Sequence, residues 1–220
     1  MRTPPAADRL PERRPIAARD WGASRRAAGW LARRGVSPNA ISVVGMVCGV
    51  AASGALALTS AGWGWSAWLA AAALIQLRLL ANMLDGMVAV AAGRRTRLGE
   101  LFNELPDRIS DAAILIGLGY AAGGVPELGY LAAVAALLTA YVRALGKTAG
   151  APAVFAGPMA KQHRMAVVTL AAVACAVLPN GWAESYHVAG WVAGACLAGT
   201  VVTVARRLVL IARHLREARP

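Results

Sequence analysis

The chain has 220 residues, 58% of them hydrophobic and only 15% charged, yet it carries a formal net charge of +12. Together with a mean hydropathy of +0.51, this excludes an ordinary soluble domain and points to a bundle of membrane-crossing helices. A clustered basic surface would suit a nucleic acid, but here the Arg and Lys residues flank the apolar segments, so no nucleic-acid partner is expected.

Residues 1–15, rich in Arg and Pro, read as a disordered basic N-terminus. Residues 16–36 read as an interfacial amphipathic helix, because Ile16, Trp21, Ala28 and Leu31 share one helical face with Arg residues around it. "SPNAIS", at 37–42, interrupts that helix at Pro38 and offers Ser37 or Asn39 as the cap of the next one. From 37 to 213 the chain reads as one six-helix transmembrane domain, with spans near 40–60, 64–90, 99–121, 128–149, 165–180 and 186–210. Such runs match the roughly 20 residues that a helix needs to cross a bilayer core. Residues 214–220 form a short basic tail.

The distribution of positive charge tests this map, because cytoplasmic loops retain Lys and Arg. Nine Arg residues precede the first span, Arg94, Arg95 and Arg97 follow the second, and Arg143, Lys147, Lys161 and Arg164 surround the link from the fourth to the fifth. The alternate connectors "TSAGWGW", "AAGGVPELG" and "PNGWAESYH" contain neither Lys nor Arg. Both termini are therefore expected on the cytoplasmic side of the inner membrane. Cys48, Cys175 and Cys196 form no CxxC pair and read as small packing residues. Spans rich in Ala and Gly favour close helix packing or a homodimer.

Five of the eleven acids, Asp85, Glu100, Glu104, Asp107 and Asp111, fall between residues 85 and 111. Positions 100, 104, 107 and 111 form one helical stripe. Ionisable groups at membrane depth cost roughly 2.5–3.5 kcal/mol each on insertion scales and usually mark a functional interior. A hard divalent cation, Mg2+ or Mn2+, is the economical reason to gather them, since it takes oxygen ligands and bridges phosphates. Asp85 closes the second span and the stripe opens the third, so a short basic loop brings them together at the cytoplasmic end. Arg78, one turn before Asn82, is expected to find an acid of this cluster.

The stretch "NMLDGMVAVAAGRRTRLGELFNELPD" resembles the signature of the CDP-alcohol phosphatidyltransferases, DxxDGxxAR followed after eight residues by GxxxDxxxD. Here the pattern reads Asn82, Asp85, Gly86, Ala89, Val90, Gly99, Asn103 and Asp107, so two aspartates have become Asn and the arginine Val. "SPNAIS", "YVRALGK" and "GPMAKQHRM" are further points of similarity. The resemblance implies an all-α enzyme that moves the substituted phosphate of a CDP-linked lipid, such as CDP-diacylglycerol, to an alcohol acceptor and releases CMP. It implies four aspartates holding two divalent cations, the last also serving as base.

Carried over, Asp85 is a metal ligand and Asp107 both ligand and catalytic base, with Gly86, Ala89 and Gly99 against the CDP group. Asn82 and Asn103 occupy the changed positions, so one or two cations are expected, and Glu100 and Glu104 are candidate replacement ligands. Arg143, Lys147, Lys161 and Arg164 are expected around an anionic acceptor or a lipid phosphate. The expected partners are a CDP-lipid, an alcohol and the surrounding membrane lipids. Two rivals are a family member that has lost catalysis and keeps lipid binding or assembly, and a small cation-coupled transporter.

Overall fold

The computed structural model describes residues 21–93, 97–179 and 181–217. Among these residues eight helices follow in chain order: α1 Gly22–Arg33, α2 Pro38–Leu58, α3 Gly64–Ala91, α4 Arg97–Gly119, α5 Pro126–Thr148, α6 Lys161–Val177, α7 Trp182–Ser185 and α8 Val188–Glu217. The described residues form no strand.

The six long helices coincide with the six apolar runs, and their ends follow from local chemistry. Ser37 takes extended backbone at the N-cap of α2, with Pro38 in the first turn, where a missing N–H costs nothing. Its hydroxyl makes no capping bond, and Asn39 lies inside the helix. Val125 and Pro126 open α5 in the same way. α8 continues through His214 to Glu217, so most of the expected tail is helical.

Among the described residues three stretches are long and apolar enough to cross a membrane: Pro38–Ala91, Pro126–Thr148 and Val188–Glu217. The first spans 54 residues and is folded back on itself by a turn, Thr59–Trp63, in which Gly62 adopts φ +87°. Only glycine enters that region without penalty, so the turn divides the stretch into α2 and α3. α6, with 17 residues, is shorter, and α4 carries charges from Arg97 to Asp111.

α6, α3, α2, α4, α5 and α8 pack each on the next and close into a ring, with α4 also touching α6 and α8, and α1 lying against α3. The core is built largely from small residues, Ala52, Ala71, Ala132, Ala136, Ala172 and Ala193, between Leu56, Ile75, Ile114, Leu115 and Met165. Small side chains let helices approach closely. Large aliphatic residues on α2, α3, α5 and α8, among them Val44, Leu77, Leu131 and Val202, point outward and are exposed. α1 buries Ala28, whereas Trp21 and Trp30 are exposed; Ile16 lies outside the described residues.

One end of the bundle is tied by hydrogen bonds from two backbone N–H groups. The Ala122 N–H donates to the Thr59 hydroxyl at 2.8 Å and the Gly190 N–H to the Gly123 carbonyl at 3.0 Å. Thr59 and Ala122–Gly123 belong to two of the connectors without Lys or Arg, and Gly190 lies in α8 just after the third. Asp85, Glu104 and Asp107 lie toward the opposite end.

Candidate active site

A small cavity opens between α2, α3 and α4, lined by Ser42, Gly45 and Met46, by Arg78, Asn82 and Asp85, and by Asn103, Pro106, Asp107 and Ser110. α2 approaches closely there because Gly49 has no side chain: a Cβ on it would stand 2.5 Å from the Cβ of Ser110. Pro106 sits inside α4 without ending it, and the Ser110 hydroxyl donates back to its carbonyl.

Asp85 is buried on the α3 wall and accepts hydrogen bonds from the Ser42 hydroxyl at 2.7 Å and from the Gly86 N–H. These two neutral donors orient the carboxylate without supplying a counter-charge. Asp107, on the α4 wall, is surrounded by cations instead. Arg78, only 1% exposed, donates through Nη2 to Asp107 Oδ1 at 3.2 Å and to its backbone carbonyl at 3.0 Å. The Lys161 ammonium pairs with Oδ2, and Arg108 stands 3.8 Å from the same oxygen.

Asn82 completes this arrangement. Its amide is oriented by its neighbours: with nitrogen toward α4 it donates to Asp107 at 3.1 and 3.2 Å and to the Asn103 carbonyl at 3.3 Å, while its own carbonyl accepts from Lys161 at 2.7 Å. Asn103 lines the same cavity. The four signature positions thus converge, two as carboxylates and two as amides.

The expected acidic stripe resolves into ion pairs at increasing depth, with Arg108 shared between Glu104 and Asp107. Glu104 is 49% exposed and pairs with Arg143 at 2.7 Å and Arg108 at 3.3 Å; it does not line the cavity. Asp107 is 15% exposed. Asp111 is buried completely against Arg164, whose Nη1 donates to the Met159 carbonyl at 2.9 Å. The side chain of Glu100 lies outside the described residues. Among the described residues no three His, Cys, Asp or Glu side chains gather into a metal cage.

Of the four cations expected around an acceptor, only Lys161 meets a cavity residue. Arg143 stacks over Phe155, 5.5 Å from the ring centroid, besides pairing with Glu104; Lys147 is exposed at the end of α5; Arg164 is enclosed. Gly86 and Ala89 follow Asp85 toward the end of α3, and Gly99 lies in the first turn of α4. His163 contacts the Pro158 carbonyl through Nδ1 at 2.7 Å and is exposed.

Two contributors went unassigned in the sequence. Ser42 stands inside "SPNAIS", seven residues before Gly49, and that register is the signal that would have placed it on the cavity. Arg207 falls inside the last apolar run, where the pattern gives it no role; it is buried and donates to the Ala156 carbonyl at 3.1 Å and the Thr139 carbonyl at 2.8 Å. It thereby ties the segment leading to Lys161 onto α5 and α8.

The family model described as CDP-alcohol phosphatidyltransferase matches residues 35–205. The chain belongs to this family. A phosphatidylinositol phosphate synthase of Streptomyces avermitilis is 32% identical over 206 residues, covering 87% of this chain and 78% of the relative. The fold is shared with the phosphatidylinositol phosphate synthase of Mycobacterium tuberculosis. Its structure with CDP-DAG bound has a TM-score of 0.70 at 24% identity, over 86% of this chain and 92% of that one. Its complex with manganese and citrate has a TM-score of 0.68 at 22% identity, over 86% of this chain and 88% of that one. CDP-alcohol phosphatidyltransferases are membrane transferases of phospholipid synthesis, which accounts for the exposed aliphatic surface.

Proposed function

We propose that this chain transfers the phosphatidyl group of CDP-diacylglycerol, or a related CDP-lipid, to an alcohol acceptor with release of CMP. The observation that carries this reading is the convergence of Asp85 and Asp107 from two helices on one polar cavity inside an apolar bundle. Asp107 is the catalytic base toward the acceptor hydroxyl, and Arg78, Lys161 and Asn82 hold its carboxylate in place. Asp85, oriented by Ser42 and the Gly86 N–H, presents its charge to the nucleotide side.

The donor set suits a hard divalent cation, Mg2+ or Mn2+. Asp85 and the Asn103 carbonyl would hold it, since Mg2+ is commonly bound through one or two carboxylates plus substrate phosphates. When bound, such a cation neutralises the diphosphate and stabilises the charge developing on the departing CMP.

In this reading α2–α6 and α8 all cross the bilayer, with the cavity at the cytoplasmic end. The contacts Arg143–Glu104 and Lys161–Asp107 support it, because each joins ends that the charge pattern assigns to one side. The Streptomyces relative's name and the positive charge of Lys161 favour a phosphorylated polyol as acceptor.

The test is CMP release by purified protein in nanodiscs containing CDP-diacylglycerol, with Mn2+ and a panel of alcohols that includes inositol phosphate, glycerol phosphate and serine. New phospholipid with one acceptor supports the reading. A folded protein that binds CDP-diacylglycerol and releases no CMP with any of them is the degenerate family member instead.

A further inference from the structure

We infer that Arg78 and Lys161 stand in for one of two divalent cations, so that the site holds a single divalent ion, at Asp85, and two side-chain cations at Asp107. The inference rests on the proposed function and deepens it by fixing the metal count.

Charge is the first argument. A site of four aspartates carries four negative charges and is matched by two divalent ions. Here Asn82 and Asn103 remove two of those charges, and Arg78 and Lys161 balance the remaining pair, Asp85 and Asp107, before any metal is added, while Arg108, 3.8 Å from Asp107, pairs more closely with Glu104. A second divalent ion on Asp107 would meet two monovalent cations already in contact with that carboxylate.

Geometry gives the second argument. Both oxygens of Asp107 are engaged: Oδ1 by Arg78, Oδ2 by Lys161, and both by the Asn82 amide. The change at position 82 therefore turns a prospective ligand oxygen into a hydrogen-bond donor. Asp85 differs: among the described residues it accepts from one hydroxyl and one N–H, and no cation is paired with it.

Arg78 supplies the third argument. A bridging ion contacts a carboxylate on one side and a substrate phosphate on the other. Arg78 lines the cavity and binds Asp107 through Nη2, while its Nε and Nη1 are buried and meet no hydrogen-bond partner among the described residues. Unpaired buried guanidinium N–H groups are costly, and a phosphate oxygen is a ligand that would satisfy them. A fixed guanidinium can therefore make both contacts that a second ion would make.

The experiment counts bound Mn2+ on the full-length protein with CDP-diacylglycerol in nanodiscs, by loss of the free-ion EPR signal and without acceptor or turnover. One ion per chain is expected. Asp85→Asn should lose it and Asp107→Asn should keep it. The combined variant Arg78→Leu, Lys161→Gln, Asn82→Asp, Asn103→Asp should bind two. Two ions on the native protein, none, or a single ion removed by Asp107→Asn and kept by Asp85→Asn would overturn the inference. The native count decides even where the combined variant fails to fold. One bound ion without CMP release sinks the proposed function alone, and two bound ions with CMP release sinks this inference alone.

Discussion

Arg164 and Asp111 form an enclosed ion pair between α6 and α4, the guanidinium 0% and the carboxylate 2% exposed. The residue expected to meet an acceptor is thus committed to the bundle interior. Breaking such a pair by removing one partner costs about 3–5 kcal/mol, because the other charge is stranded, whereas replacing both with apolar residues is often neutral. Arg164→Met should therefore lower the thermal midpoint strongly, and Arg164→Met with Asp111→Leu should recover most of the loss. Unfolding followed by Trp fluorescence in detergent checks this. A single variant that raises the acceptor KM at unchanged stability would return Arg164 to the acceptor site.

The two cavity carboxylates separate by their surroundings. Asp107→Asn keeps the shape and can still face Arg78, but it removes the base, a contribution of roughly 10²–10⁴-fold. Transfer should fall by that factor while CDP-diacylglycerol binding persists. Asp85→Ala should abolish transfer and Mn2+ binding together. CMP release and Mn2+ titration on the same preparations distinguish the two outcomes.

The helices were legible in the sequence because each bilayer-length apolar run is bounded by charge, Gly or Pro. The ring order was not, since nothing in the hydropathy says that α3 and α4 each pack mainly on α2 rather than on each other. The signature spacing brought Asn82, Asp85, Asn103 and Asp107 to one cavity, because two helix faces at fixed offsets determine those four positions. Arg78 was expected to meet an acid and does so at Asp107. Periodicity alone could not assign Glu104 and Asp111: they share a stripe with Asp107, but their partners, Arg143 and Arg164, come from α5 and α6, whose approach is set by tertiary packing.

Glu104 tests that distinction. Paired with Arg143 and Arg108 and half exposed, it belongs to the class of surface ion pairs worth about 0.2–1 kcal/mol. Glu104→Gln should lower stability by no more than that and leave the Mn2+ concentration for half-maximal CMP release unchanged. A large increase in that concentration would make Glu104 a replacement metal ligand.

Asn82→Asp has an outcome that depends on metal. The native amide donates to Asp107; a carboxylate there would instead place its oxygens about as close to those of Asp107, with no proton between them. Lys161, already shared by both side chains, offsets only part of this repulsion. Losing the donor and leaving buried oxygens unsatisfied costs about 1–3 kcal/mol, so the variant in EDTA should melt below the native protein. A divalent ion between the two carboxylates reverses the sign of the interaction, and a ligand at 100 times its dissociation constant stabilises the folded state by about 2.7 kcal/mol. The melting temperature of Asn82→Asp should therefore rise more on adding Mn2+ than that of the native protein, with Lys161→Gln enlarging the difference by removing the competing ammonium. Equal Mn2+ shifts in the native and variant proteins would mean that the amide at position 82 does not exclude an ion from Asp107.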